Sequence, residues 1–294
     1  MSQCEVNAAM YETRWRTSGR KPMTAQDISP IFIEDHGNHL VVVSDNPAQK
    51  NTLSLEYHKL LLEALGKASS EDRITSIILV GRSGYFSAGG NLGLLAKNLE
   101  EDKRDDRYAI VSELQECVQA IQTCPKPVIS AVHGGAAGGG FSIALACDLI
   151  ICDEDSVFMP AYVKIGAVPD GGLTSTLAKS LPHALAMEIC LFGKPVTAEL
   201  LHQHGLVNAL VPPGTAEETA SEFAAKLARG PATTHRQMKS LIVAAKSNTL
   251  ADQLDLERET LVELLGSPVA KEGISAFLDK RRADFAKAEG RSDT

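Results

Sequence analysis

The sequence lacks the features that mark membrane-spanning, disulfide-rich and zinc-binding proteins. No apolar run approaches the roughly 18 residues that a membrane-spanning helix requires. None of the six cysteines forms a C-x-x-C pair, and several lie in apolar stretches. Such a distribution favours buried free thiols over disulfides or zinc ligands. Because the eight histidines are also scattered, we expect no metal site and no membrane association.

Basic residues are scarce relative to acidic ones. The 29 Lys and Arg against 37 Asp and Glu give the 294-residue chain a net charge of −8. This balance argues against a broad basic face for nucleic acid, whereas a few lysines and backbone amides can still bind phosphate locally. Residues 1–28 contain no apolar core of the signal-peptide type. We therefore interpret them as a polar N-terminal tail and expect a cytoplasmic protein.

What the chain does contain is a series of β-branched runs separated by loops and helical stretches. Strands are predicted at residues 31–33, 39–44, 77–80, 127–132, 149–152, 157–159 and 206–211. The order strand, glycine-rich loop, helix, strand occurs twice, which predicts parallel pairing with right-handed crossovers. From residue 173 the pattern is mainly helical, with 206–211 as the one late strand. Four final helices are predicted at about 215–229, 232–247, 250–266 and 268–286.

Two glycine-rich loops, at residues 81–92 and 134–140, each follow a predicted buried strand. The second contains no G-K-[ST], and Ala136 breaks the G-x-G-x-x-G pattern, so neither common nucleotide-binding loop matches. A glycine run before a helix directs free amides at one point, which suits a phosphate or a carbonyl oxygen. Close helix–strand packing explains one such run equally well. Two loops together can supply one amide each to the same oxygen, as in a backbone oxyanion hole.

Six stretches resemble the crotonase superfamily, that is, the enoyl-CoA hydratase/isomerase family. They are residues 46–53 (NPAQKNTL), 86–92 (FSAGGNL), 127–140 (PVISAVHGGAAGGG), 144–150 (ALACDLI), 164–172 (KIGAVPDGG) and 272–281 (EGISAFLDKR). The resemblance covers about residues 30–286 in the correct order and spacing. It implies an α/β fold with a crotonase-like ββα spiral core over 29–214 and a helical trimerisation region over 215–294.

The same resemblance implies the ligand and the residues that hold it. The ligand would be an acyl-CoA thioester of the kind met in fatty acid metabolism, with coenzyme A as part of the substrate and no separate cofactor. The amides of Gly90 and Gly139 would form the oxyanion hole. The implied acyl-CoA contacts are Lys50, Ala88, Asn91, Phe277 and Lys280. Asn91 is also a credible N-cap for the helix after the first loop. The implied assembly is a homotrimer or a dimer of trimers.

In this family, the carboxylate side chains at the site determine which reaction is catalysed. Family hydratases use two glutamates, and the matching positions here are Ser142 and Tyr162. Because neither is an acid, two-glutamate hydration is not expected. The candidate acid is Asp170, placed immediately after a proline as in single-acid Δ3,Δ2-enoyl-CoA isomerases of the family. The stretch Pro-Asp-Gly is also a good turn sequence without any chemistry. Phe141, Ser142 and Tyr162 are predicted at the acyl pocket, although the two aromatic residues would suit a core equally.

The sequence therefore predicts an enoyl-CoA isomerase in which Asp170 moves one proton while two amides stabilise the enolate. Three alternatives remain open at this point. Asp170 could attack the substrate as a nucleophile, as in a dehalogenase branch of the superfamily. It could support slow hydration alone. The chain could also be a non-catalytic scaffold that binds acyl-CoA.

Overall fold

The computed structural model describes residues 30–100 and 104–291, including their side chains except those of residues 97–100. The tail predicted at residues 1–28 lies outside the described residues, as does Cys4. The remaining cysteines are free, and all but Cys190 are buried. Burial raises the pKa of the Cys117 thiol to about 12. The prediction of buried free thiols is thus confirmed for most of the described cysteines.

The strands of the described chain form two sheets. They are β1 (Ile31–Asp35), β2 (His39–Ser44), β3 (Ser76–Gly81), β4 (Val128–Val132), β5 (Gly135–Ala137), β6 (Leu149–Asp153), β7 (Val157–Met159), β8 (Val196–Thr197) and β9 (Ala209–Val211). The larger sheet has the order β1-β2-β3-β4-β6-β9. Its first pair, β1 with β2, is antiparallel, and each later pair is parallel. Strands β2, β3 and β4 are buried throughout, as parallel strands covered on both faces should be.

The smaller sheet has the order β5-β7-β8 and corrects two expectations. The glycine run at 134–140 is not only a loop, because β5 lies inside it and pairs in parallel with β7. The 206–211 segment is not the one late strand, because β8 precedes it and pairs antiparallel with β7. A strand of two or three residues is too short to show an alternating pattern, so periodicity does not reveal it.

The helices of the described chain lie before, between and after these strands in sequence. They are α1 (Leu55–Ser70), α2 (Leu92–Glu100), α3 (Arg104–Thr123), α4 (Gly139–Ala146), α5 (Leu173–Ser180), α6 (His183–Phe192), α7 (Ala198–Gln203), α8 (Ala216–Arg229), α9 (Ala232–Ala244), α10 (Leu250–Leu265), α11 (Pro268–Leu278) and α12 (Phe285–Ala288). Ser54 caps α1, since its Oγ accepts a hydrogen bond from the Tyr57 amide at 3.2 Å. Serine is one of the residues favoured at this position, because its hydroxyl oxygen satisfies a free amide of the first turn.

Helices cover the two faces of the larger sheet with different side chains. On one face, α1 and α3 contribute bulky residues such as Leu61 and Ile121 to the main hydrophobic core. On the other face, α8 presents the fully buried stripe Ala216, Ala220 and Ala224 to a second core. Alanine side chains let the helix backbone approach the sheet closely.

The C-terminal helices follow the prediction except at the end of the chain. The helix expected at 268–286 stops at Leu278, and the chain turns before the short α12. Lys280 in this turn has a φ of 54°, a left-handed conformation that no helix interior allows. Glu272 stabilises the turn by pairing with Arg281 and accepting from the Asp284 amide at 2.8 Å. The boundary between the predicted regions 29–214 and 215–294 stays a prediction.

Candidate active site

The first glycine-rich loop is held against the smaller sheet by backbone and hydroxyl hydrogen bonds. The Phe86 amide donates to the Gly135 carbonyl at 3.0 Å, and the Ala137 amide donates to the Ser87 carbonyl at 2.8 Å. The Ser87 hydroxyl oxygen also accepts from the Gly89 amide at 3.1 Å. These bonds join the loop after β3 to the loop after β4. The two glycine-rich loops of the sequence therefore form one unit.

The loops meet most closely at Gly89 and Gly139. A β-carbon built on Gly89 would lie 2.5 Å from the Ala137 carbonyl oxygen and 3.1 Å from the Gly139 amide nitrogen. Gly89 also has a φ of +85°, so glycine is required here for both space and conformation. The loop that carries Gly90 therefore lies against the loop that carries Gly139, and these two glycines are the predicted oxyanion donors.

Both predicted donors lie at the N-terminal ends of helices. Gly139 is the first residue of α4, and Gly90 is separated from α2 only by Asn91. The Asn91 Oδ1 atom accepts from the Leu94 amide at 3.0 Å, so the predicted cap is present. In the part of the chain that the structure describes, no backbone acceptor takes a hydrogen bond from the Gly90 or Gly139 amide. These N–H groups can donate to a ligand oxygen, reinforced by the helix dipoles.

Asn51 joins this unit to the preceding loop, a role that sequence reasoning missed. Its side chain is buried, and Nδ2 donates to the Arg82 carbonyl at 2.8 Å and to the Tyr85 carbonyl at 2.6 Å. Its Oδ1 accepts from the Asn46 amide at 2.6 Å. The Asn51 side chain therefore holds both ends of the turn over residues 82–85, near the start of the first glycine-rich loop. Asn51 has a left-handed φ of 54°, which asparagine tolerates, but no local pattern in the sequence marks this role.

Asp170 is bound by the two hydroxyl side chains that occupy the family's glutamate positions. The Tyr162 hydroxyl donates to Asp170 Oδ1 at 2.6 Å. The Ser142 hydroxyl donates to the Asp170 backbone carbonyl at 2.9 Å, and its Oγ lies 3.4 Å from the Tyr162 hydroxyl oxygen. The sequence predicted all three residues for the site, and the structure brings them together. One oxygen of the Asp170 carboxyl is thereby held in a fixed direction.

Tyr162 remains a hydrogen-bond donor over the whole working pH range. Burial first, and then the adjacent Asp170 carboxyl, raise the pKa of the Tyr162 phenol well above that of a free tyrosine. A phenolate would be both desolvated and repelled by the carboxylate. The neutral phenol is therefore the form that faces Asp170.

Leu114 of α3 connects the oxyanion loop to the Asp170 turn. A β-carbon on Gly139 would lie 3.1 Å from Leu114 Cδ2, and one on Gly171 would lie 3.2 Å from the same atom. One apolar methyl group therefore touches both the predicted donor and the residue that follows the predicted acid. Ser142 makes the same connection from α4, one turn after Gly139. The predicted donor and the predicted acid are therefore linked through the same two side chains, Leu114 and Ser142.

The other predicted pocket residues are placed differently. Phe141 is fully buried, and its ring centroid lies 4.9 Å from that of Phe158, so it supports α4 from inside the core. Val168, which could have formed an apolar wall beside Asp170, is 79% exposed. Leu114, which the sequence did not single out, supplies that wall. The face that α3 turns toward the site depends on tertiary packing.

The predicted acyl-CoA contacts separate into two groups. The Lys50 carbonyl accepts from the Ala88 amide at 2.9 Å, and Lys50 Nζ lies 5.7 Å from the Tyr85 ring centroid. Phe277, at the end of α11, is 83% exposed, and Lys280 is exposed two residues after α11. Among the described residues, no backbone hydrogen bond or ring contact joins this second group to the first.

Metal-binding clusters and membrane-spanning helices are considered for the described residues only. Across 30–100 and 104–291, no group of three or more His, Cys, Asp and Glu side chains is placed to hold a metal ion. Within these same residues, none of the helices combines the length and the apolar character that crossing a membrane demands.

Comparison with known proteins identifies relatives along most of the chain. The family model described as enoyl-CoA hydratase/isomerase matches residues 36–288. A probable enoyl-CoA hydratase of Rhodobacter capsulatus is 37% identical over 248 residues, which cover 83% of this chain and 93% of the relative. The 1,2-epoxyphenylacetyl-CoA isomerase of Escherichia coli is 33% identical over 246 residues, which cover 84% of this chain and 94% of the relative.

A solved structure agrees with these sequence relationships. The crystal structure of an enoyl-CoA hydratase from a Polaromonas species superposes with a TM-score of 0.84 at 38% identity. The match covers 86% of this chain and 98% of that one. The fold is therefore shared over nearly the whole length of the neighbour.

Proposed function

The chain belongs to the enoyl-CoA hydratase/isomerase family of acyl-CoA-processing enzymes, and on that premise we propose that it is an enoyl-CoA isomerase. In this proposal Asp170 shifts a carbon–carbon double bond by removing a proton from one carbon and returning it to another. The thioester oxygen accepts hydrogen bonds from the Gly90 and Gly139 amides while the charge is delocalised. No water is added, and no bond to the protein forms.

The observation that carries the proposal is the set of groups around Asp170. The side chains bonded to it are two hydroxyls, from Tyr162 and Ser142, at the positions where family hydratases use glutamates. Hydration needs one group to activate the water and another to handle the substrate proton. Proton transfer within a substrate needs a single carboxyl, because the group that takes the proton can return it.

The first step is removal of a proton from the carbon between the thioester and the double bond of a 3-enoyl-CoA. The Asp170 carboxylate takes this proton, and the electron pair moves toward the thioester oxygen. Negative charge on that oxygen is stabilised by two backbone donors, and loss of one such donor typically costs about 3 kcal/mol. The apolar contact of Leu114 with Gly139 and Gly171 reduces the access of water to this charge.

The second step returns the proton two carbons farther along the acyl chain. The protonated Asp170 donates it, the double bond moves into conjugation with the thioester, and the carboxylate is restored. The Tyr162 hydroxyl, 2.6 Å from Asp170 Oδ1, keeps one oxygen engaged throughout. The other oxygen of the Asp170 carboxyl then carries the proton from the first carbon to the second. This route needs a small motion of one group and no relay between two groups.

Hydration is the second candidate, favoured by the names of several relatives. The probable enoyl-CoA hydratase of Rhodobacter capsulatus, at 37% identity, is one of them. A hydratase would have to use Asp170 together with the Ser142 and Tyr162 hydroxyls to hold a water molecule. The two candidates differ in product mass, so a single experiment separates them.

The experiment supplies the purified protein with a 3-enoyl-CoA and, separately, with a 2-enoyl-CoA. We expect the 3-enoyl form to become the 2-enoyl form with no change in mass. Fast gain of one water by the 2-enoyl form would instead establish the hydratase. A release of free coenzyme A, or an acyl adduct on Asp170, would establish nucleophilic chemistry. Tight binding without turnover of either substrate would contradict an enzymatic role on these thioesters.

A further inference from the structure

A cavity of about 480 Å³ lies at the ends of the strands opposite to those that lead into the candidate active site. Its lining includes Asn38, which immediately precedes β2, and Arg73, which lies shortly before β3. Both strands are parallel, so these residues mark their amino ends. The loops that carry Gly90 and Gly139 follow the carboxyl ends of β3 and β4. A ligand in this cavity would therefore not overlap the part of the predicted acyl-CoA site formed by Lys50, Gly90 and Gly139.

Arginine is the dominant charged residue of this cavity. Four arginines and one acid line it, namely Arg73, Arg229, Arg282, Arg291 and Asp284. Such a concentration is unusual for a chain whose net charge is −8. Guanidinium groups are planar donors that bind phosphate or carboxylate through paired hydrogen bonds. The question is which of these groups remain available to a ligand.

Arg73 is already occupied by neighbouring acids. It donates through two nitrogens to the Asp35 carboxylate at 2.8 Å each and to the Gly37 carbonyl at 2.6 Å, and it also pairs with Glu71. The Asp284 carboxylate is also engaged, because Oδ1 accepts from the Lys287 amide at 3.0 Å. Arg73 therefore forms a fixed wall of the cavity and is not the main anion-binding group.

Arg291 is a buried group with donors to spare. Its side chain is 8% exposed, and it donates through Nε to Glu289 and through Nη1 and Nη2 to the carbonyls of Ala228 and Gly230. A guanidinium has five N–H groups, so two remain after these bonds. Glu289 also accepts from the Ala232 and Thr233 amides, and its charge is shared among several donors.

Arg229 and Arg282 complete the cavity with unneutralised charge. Within the residues that the structure describes, the ion pairs and hydrogen bonds include no acid partner for either guanidinium. Both residues are exposed, and they approach the cavity from different elements, the end of α8 and the turn after α11. Two free guanidinium groups that share one cavity repel each other, and an anion between them would relieve that repulsion.

The remaining lining is small and apolar. It consists of Ala225, Ala228, Ala283, Ala286 and Phe285. Alanine side chains leave room for a ligand, and the Phe285 ring offers a flat surface against which a ring can stack. The volume of about 480 Å³ falls in the range of sites for small organic ligands. The lining therefore suits a molecule with an anionic end and a flat apolar end.

We propose that this arginine-lined cavity binds an organic phosphate, with the phosphate between Arg229, Arg282 and Arg291 and an apolar ring on the floor formed by Phe285 and the lining alanines. Charge complementarity selects the phosphate, and the floor selects the ring. Inorganic phosphate alone would use only half of the site.

The test measures binding of 1-naphthyl phosphate to the full chain by calorimetry, with 1-naphthol and inorganic phosphate as comparison probes. We expect the wild type to bind 1-naphthyl phosphate more tightly than either comparison probe. The double variant Arg229→Ala, Arg282→Ala should bind it about tenfold or more weakly, because hydrogen bonds to charged groups are each worth about that factor. The matched control Arg236→Ala, Arg258→Ala removes the same charge elsewhere on the exposed surface and should bind as the wild type does.

A third variant separates this cavity from the acyl-CoA site. Lys50→Ala alters a predicted acyl-CoA contact and should leave binding of 1-naphthyl phosphate unchanged. Equal affinity of the wild type and the Arg229→Ala, Arg282→Ala variant would overturn the proposal. Loss of binding in Lys50→Ala alone would also overturn it, by assigning the probe to the acyl-CoA site. Binding of inorganic phosphate as tightly as the organic phosphate would exclude the role of the apolar floor.

Discussion

At the scale of single residues, the account depends on how Tyr162 and Ser142 hold Asp170. A phenol at 2.6 Å from Oδ1 fixes the carboxyl direction without adding a second carboxyl group. The raised pKa of Tyr162 keeps this group a donor, since burial and the nearby carboxyl both disfavour the phenolate. Replacing glutamates by hydroxyls thus changes a two-acid site into a site with one positioned acid.

Removal of the Tyr162 hydroxyl tests this positioning. We expect Tyr162→Phe to lower kcat for 3-enoyl-CoA about tenfold with KM nearly unchanged, because a hydrogen bond to a charged group is worth about 1.5–3 kcal/mol. Steady-state kinetics measures both constants. The control is Tyr108→Phe, which removes a hydroxyl from an exposed tyrosine of α3. An unchanged kcat in Tyr162→Phe, or a change confined to KM, would contradict the positioning role.

Asn51 provides a second prediction at this scale. Asn51→Asp keeps the shape and the tolerance of left-handed φ, but it places a carboxylate oxygen against the Arg82 and Tyr85 carbonyls. We expect the free energy of unfolding to fall by about 2–3 kcal/mol, since a buried group is left unsatisfied and charged. Urea denaturation measures the change.

The control for this substitution is Asn91→Asp, at an exposed helix cap where aspartate serves as well as asparagine. We expect its free energy of unfolding to equal that of the wild type within error. Equal stability of Asn51→Asp and Asn91→Asp would show that Asn51 does not hold the loop.

At the scale of elements, the site is produced by two strand–loop–helix units joined through the smaller sheet. Strand β5 lies inside the glycine run and pairs with β7, so the run is at once sheet and loop. The tight approach of Gly89 to the Ala137 carbonyl accompanies the pairing of Ser87 with Ala136, which joins the first loop to β5. The amides of Gly90 and Gly139 are therefore positioned by backbone geometry.

Two glycines of the same loop test that geometry. Gly89 and Gly84 have similar positive φ values, +85° and +82°, but a β-carbon on Gly84 meets nothing within 4 Å. We expect Gly84→Ala to lose about 1–2 kcal/mol from left-handed strain alone. Gly89→Ala should lose more and also reduce kcat, because the Ala137 carbonyl must move. Denaturation and kinetics on both variants provide the comparison, and equal effects would contradict the required close approach.

The sequence predicts the local features of these elements well and the long-range ones poorly. The buried strands and the Asn91 cap depend on neighbouring residues, so the patterns revealed them. The role of Asn51 depends on carbonyls 31 and 34 residues away, and no local pattern reports such partners. Leu114 looks like any core residue of an amphipathic helix until α3 is placed beside Gly139. The end of α11 was missed because its turn is stabilised by Glu272 pairing with Arg281.

The site residues show the same division. Asp170, Ser142 and Tyr162 were predicted through the resemblance to the family and are found together. Local composition alone would have assigned Asp170 to a turn, which it also occupies. Phe141 was expected at the pocket but lies in the core, because α4 turns its ring toward Phe158. A residue type predicts what a side chain can do, whereas packing decides which way it faces.

At the scale of the whole molecule, the C-terminal helices expose more apolar surface than a monomer needs. Leu261, Val262 and Leu265 of α10 are each more than half exposed, as are Phe277 and Leu278 at the end of α11. Exposed apolar patches of this kind mark protein contacts. We expect a homotrimer or a dimer of trimers, as the resemblance implied.

Light scattering after size-exclusion chromatography tests this assembly. The expected mass is three or six times that of the 294-residue chain. Val262→Glu should lower the mass toward that of one chain, because a buried unpaired charge is costly at an apolar contact. Glu222→Gln on α8, an exposed site away from this surface, is the control. A monomeric wild type would contradict the expectation.

The fold and the family do not by themselves select the reaction, because one fold supports many chemistries. The central claim is that a single carboxyl, Asp170, carries the proton between two carbons of an enoyl-CoA. The most direct measurement compares the rate of 3-enoyl-CoA isomerisation in the wild type and in Asp170→Asn, with coenzyme A binding measured in both. Asp155→Asn, at an exposed acid in the turn between β6 and β7, is the matched control.

The account predicts that Asp170→Asn loses about 10²–10⁴ in rate, the usual contribution of a positioned acid–base group, while it still binds coenzyme A. Asp155→Asn should retain the wild-type rate. Isomerisation by Asp170→Asn at the wild-type rate would contradict the account.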